Sequence, residues 1–136
     1  MKQTVKVNSR NIIFEKEKTS SYQKANFSAC TCEGCSAFRK AIESNKELSA
    51  YLEQFGIDYN FPDEVFWYDM GEDDALYYES DGYYGVCGFF DGDEFSFEKY
   101  GVTISFLKNA MLPVERDGEY FYISIKGDFP PASDDL

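Results

Sequence analysis

Residues 119–125 read Glu119-Tyr120-Phe121-Tyr122-Ile123-Ser124-Ile125, and this stretch decides the fold. A period of two sends Tyr120, Tyr122 and Ser124 to one face of a strand and Phe121, Ile123 and Ile125 to the other. The second set is the cleaner apolar face. Upstream, Glu64 to Tyr68, Ala75 to Glu79, Tyr83 to Phe90, Phe95 to Phe97 and Val102 to Leu107 are further aromatic or β-branched runs. Turn signals separate them at Ser80-Asp81-Gly82, Asp91-Gly92-Asp93 and Arg116-Asp117-Gly118. Loops this short predict antiparallel pairing, because a parallel crossover needs about a dozen residues or more.

The first half of the chain reads differently. Thr4 to Val7 and Asn11 to Glu15 are short strand candidates joined near Asn8 and Ser9, and the polar stretch Thr19 to Lys24 reads as loop. Phe38, Ala41, Asn45, Leu48, Leu52 and Phe55 then recur at helical spacing, with Ile42 and Tyr51 widening the stripe. Asn45 is the polar exception. It marks a break between two helices and is placed to cap the second. Gly56 ends the helical pattern as a left-handed C′ residue, with Ile57 folding back on Leu52. The sum is an α+β domain: one or two N-terminal helices on an antiparallel sheet of about five or six strands. Residues 1–136 read as a single domain, with a mobile C-terminal tail from about residue 128, where Pro130 and Pro131 precede Ser133, Asp134 and Asp135.

Composition narrows the chemistry. The chain has 136 residues, a formal net charge of -12, 13 Phe, 11 Tyr, 1 Trp, four cysteines and no histidine. The missing imidazole excludes histidine triads, zincin sites and the usual pH switch. The charge is uneven: residues 1–55 carry nine Lys or Arg against six acids, and residues 56–136 carry four against nineteen. Such a surface repels nucleic acid and anionic membranes and favours basic partners or metal ions. No signal-peptide core and no membrane-spanning run is visible, so the expected location is cytoplasmic, with reduced cysteines.

Cys30, Cys32 and Cys35 form C-x-C-x2-C, with Gly34 inside and a helix beginning just after. One tight turn can offer several thiolates to one ion, and helix N-terminal amides lower thiol pKa values. Cys87 is the candidate fourth ligand of a closed, structural Zn²⁺ site, provided its strand passes beside the turn. Buried hydrophobic thiols and redox thiols remain open alternatives, since the second C-x2-C pair of a strong zinc signature is missing.

These residues, with Phe38, the segment Phe55-Gly56-Ile57-Asp58 and the run Val65 to Tyr68, resemble an uncharacterised small bacterial family with a C-x-C-x2-C cluster before a helix. The resemblance implies the architecture. It implies no activity, and Cys87 falls outside its pattern.

Acids crowd one loop at Asp69, Glu72, Asp73 and Asp74 and another at Asp91, Asp93 and Glu94, without EF-hand spacing. Together with Trp67, Tyr68, Tyr77 and Tyr84, the first group suits a protein interface. The leading expectation is therefore a non-enzymatic acidic binding module, immunity- or inhibitor-like toward a basic protein. The runner-up is a zinc-stabilised domain whose cysteines scaffold a pocket of unknown chemistry. No acid–base set assembles from spacing alone, which argues against an enzyme.

Overall fold

A computed structural model describes residues 2–26, 30–70, 77–109 and 118–130. In chain order the elements are β1 (Lys2–Val7), β2 (Arg10–Glu15), α1 (Lys16–Asn26), α2 (Glu33–Ser44), α3 (Lys46–Glu53), β3 (Glu64–Met70), β4 (Tyr77–Phe90), β5 (Phe95–Lys99), β6 (Val102–Leu107) and β7 (Tyr120–Phe129). The class is α+β, with three helices and seven strands among the described residues. That is more strands than the five or six expected and one helix more than the one or two expected, the helices following the N-terminal hairpin β1–β2. The sheet is antiparallel in order β1-β2-β4-β7-β6-β5, with β3 also paired to β4.

One face of the sheet carries the core. Phe121, Ile123 and Ile125 of β7 are buried there, as their alternation requires, beside Ile104 and Phe106 of β6 and Tyr84 and Val86 of β4. Phe38 of α2 stacks on Tyr84 at 6.2 Å and meets Phe129 edge-on at 5.7 Å. Just beyond α3, Phe55 meets Phe14 at 4.9 Å and Phe106 at 5.9 Å. A fully buried aromatic of this kind contributes about 1.5–3 kcal/mol through its area alone. The helix break falls at Asn45, whose side chain accepts from the Leu48 amide at 3.2 Å and donates to the Tyr100 carbonyl at 2.8 Å. Gly56 has φ +85, and the Ile57 amide reaches back to the Leu52 carbonyl, a Schellman ending.

The structure overturns two sequence expectations. The stretch Thr19 to Lys24 is helical, inside α1, although it has no apolar stripe. The side chains α1 buries are Thr19 and Gln23, four residues apart, and both satisfy backbone groups elsewhere. Gln23 donates to the Asp58 and Phe61 carbonyls and accepts from the Asp58 amide. Ser80-Asp81-Gly82 is not a turn, because β4 runs through it without interruption for 14 residues. Gly82 is there to make room: a Cβ would lie 2.2 Å from Cζ of Phe38. At the C-terminus, β7 continues through Asp128 and the buried Phe129, and residues 131–136 of the expected tail lie outside the described residues.

Strand β4 outlasts either neighbour on one edge, pairing with β3 at one end and with β2 at the other. Side chains close the gap between them. Asp63 accepts from the Gly85 amide at 3.1 Å, and Thr19 Oγ1 accepts from the Cys87 amide at 3.0 Å. No helix among the described residues is long and apolar enough to cross a membrane.

Candidate functional site

The C-x-C-x2-C turn folds onto the start of α2. Cys32 is the N-cap residue, with extended backbone at φ -65 and ψ 164. Its amide donates to Cys30 Sγ at 3.5 Å, and its carbonyl accepts from the Ser36 amide at 2.9 Å. The Arg39 guanidinium donates to the Cys30 carbonyl and ties the turn to the second turn of the helix. The three sulfurs lie within 4.8 Å of one another, with Cys30 and Cys32 exposed and Cys35 buried. They therefore could bind a metal ion: thiolates at about 2.3 Å from one tetrahedral ion sit about 3.8 Å apart.

The thiols are electrically unequal. Burial pushes the Cys32 pKa up, but hydrogen bonds from the Cys35 amide, the Cys30 and Cys35 thiols and Trp67 outweigh it, and the net shift is down. Cys35 moves strongly up, first through burial and then through its two sulfur neighbours. Trp67 forms the floor, since a Cβ on Gly34 would fall 2.0 Å from its ring. Behind it, Tyr78 meets the indole edge-on at 5.4 Å. The Glu33 carboxylate, accepting from the Tyr78 hydroxyl, is the main cause pushing that phenol up to about 12.

Cys87 is not brought to this cluster. Trp67 pairs with Ser80, and Cys87 lies seven residues further along the same strand, about 23 Å at the usual rise. It lines a separate cleft of about 320 Å³ with Lys2, Glu15, Lys18, Phe89 and Glu119. Gly88 beside it serves β2, where a Cβ would strike the Ile13 carbonyl at 2.0 Å.

The expected interaction residues divide. Trp67 faces the helices and Asp69 lies on the same side, near Tyr78. Tyr84 belongs to the core: fully buried, it donates to the Tyr59 carbonyl at 2.7 Å, so it is withdrawn from any surface. Glu72, Asp73 and Asp74 lie outside the described residues. Tyr68 and the half-buried Tyr77 are on the other face, which no described helix covers. There Phe66, Tyr68 and Met70 are 46%, 64% and 37% exposed. Phe66 was overlooked as a surface residue, although its alternation with Val65 and Trp67 already placed it opposite them.

At the centre of that face sits Asp81, paired to Phe66 on one side and Lys126 on the other. It accepts from the Tyr83 hydroxyl at 3.1 Å through Oδ2, while buried Oδ1 accepts no hydrogen bond. Burial raises its pKa, only partly opposed by Tyr83, Lys126 and Ser124. By contrast, two of the acids at 91–94 hold backbone groups: Asp91 accepts from the Asn11 amide and side chain, and Glu94 accepts from the Lys108 amide.

No family model matches the chain, and neither a curated protein nor a solved structure does.

Proposed function

We propose that this chain is a non-enzymatic binding module that docks a basic protein on the exposed face of β3, the adjoining part of β4, and Lys126 and Asp128 of β7. One observation carries the reading: Phe66, Tyr68 and Met70 stand exposed in a row on β3, while Val65 on the same strand is buried. Large apolar side chains ordered side by side without a covering layer are the usual mark of an interface. Charge supplies the partner's sign. Around the row lie Glu64, Glu79, Asp81 and Asp128, with Lys126 the one cation among the described residues of these three strands. Asp81 lies at the centre of this acidic surround, between Phe66 of β3 and Lys126 of β7.

The test is binding of the immobilised chain to a panel of small cationic proteins, ribonucleases included, with acidic proteins as controls. Saturable binding that falls with salt and is lost in a Phe66→Ala, Tyr68→Ala double variant supports the module. Binding to none of them, or binding indifferent to that variant, contradicts it.

A second reading, a zinc-stabilised domain, is favoured by the 4.8 Å grouping of three thiols at the start of α2. The two are compatible, because the cysteines lie on the helix side and the aromatic row on the other.

A further inference from the structure

We infer that Cys30, Cys32 and Cys35 form a three-thiolate site for a soft, thiophilic divalent ion, with one coordination position left for a ligand from outside the chain. The inference rests on the second reading above and differs from it in what completes the site. A structural zinc centre takes four protein ligands; one that keeps three holds water or another molecule in the fourth position. Three sulfurs meet here within 4.8 Å, and the fourth cysteine lies far along β4, in a different cleft. Histidine cannot replace it, because the sequence has none. Two of the three sulfurs belong to exposed residues, so the open position faces solvent, while Cys35 and Trp67 close the inner side. Sulfur-only donors select soft ions such as Zn²⁺ over Mg²⁺ or Ca²⁺. Binding is a substitution: each thiol releases its proton to solvent as its sulfur–metal bond forms.

The test is titration of the reduced chain with Co²⁺ under anaerobic conditions, followed by displacement with Zn²⁺. One equivalent is expected to produce thiolate-to-cobalt absorbance and to change the emission of Trp67, the single tryptophan. With Zn²⁺ bound, three of the four thiols should resist a disulfide reagent. Cys87→Ser should bind with unchanged affinity, whereas Cys30→Ser and Cys32→Ser, at exposed positions, should bind at least tenfold more weakly. Added imidazole or mercaptoethanol should shift the cobalt bands by entering the open position. Protection of all four thiols, with loss of binding in Cys87→Ser, overturns the open site but leaves a closed zinc centre standing. Bands indifferent to added ligand overturn the open position. Absence of saturable binding overturns both readings.

Discussion

Gly34 lies directly under the indole of Trp67, so close that a methyl group on Gly34 would fall 2.0 Å from the ring. This contact couples the cysteine turn to β3, the strand that carries the exposed aromatic row on its opposite face. Gly34→Ala must push the indole outward or lift the start of α2. The expected cost is about 1–3 kcal/mol, typical of overpacking. Chemical denaturation followed by Trp67 emission reads both the stability and the altered ring environment. An unchanged midpoint and spectrum would show that the contact is loose.

Thr19→Val tests how the sheet is closed between β2 and β3. The substitution keeps the shape but removes the oxygen that accepts from the Cys87 amide. A part-buried donor left without a partner costs about 1–3 kcal/mol. Hydrogen exchange at Cys87 should accelerate, while amides in β6 should change only with global stability. If the Cys87 amide keeps its protection, another group closes the gap.

Asp81 predicts a pH dependence with a definite sign. Its folded pKa is raised above 3.8, chiefly by burial, so the folded state holds the proton more tightly than the unfolded chain does. Ionisation therefore costs stability. The penalty is absent below the unfolded pKa and grows as pH rises through the folded value. Asp81→Asn should be the more stable protein at pH 7, by no more than about 1 kcal/mol given the partial exposure and screening. The difference should vanish near about pH 3, where Asp81 is itself protonated. Thermal melts of both proteins across that range decide it, and a destabilised variant at neutral pH would contradict the burial argument.

Phe66→Ala and Tyr68→Ala should leave stability nearly unchanged, within about 0.5 kcal/mol each, because both residues are exposed. The same substitutions should weaken partner binding by about 1–2 kcal/mol or more each if they act as interface anchors. Parallel melts and binding measurements separate the two effects. A large stability loss would mean that the row serves folding instead.

Much of the architecture was legible, and the failures have physical causes. Phe121, Ile123 and Ile125 were readable because their two-residue period marks one apolar face, although β7 also buries Tyr122 and Ser124 on the other. Asn45 and Gly56 were readable because capping and left-handed termination are local. Helix α1 was hidden because the side chains it buries, Thr19 and Gln23, are polar and serve distant backbone groups. Gly82 imitated a turn because the ring it accommodates, Phe38, lies 44 positions away. The cysteine turn could be read from spacing, but whether Cys87 joins it depends on long-range strand register. Tyr84 was misplaced because the false turn hid the continuous alternation that sends it inward with Gly82 and Val86.

The most direct test of the docking face is amide chemical-shift mapping of the isotope-labelled chain during titration with a small cationic ribonuclease. The account predicts salt-sensitive perturbations concentrated at Phe66, Tyr68, Asp81, Tyr83 and Lys126, with the helix-side residues Arg39, Ala41 and Tyr51 unaffected. Perturbations centred on those helix-side residues, or no localised response at low salt, would contradict it.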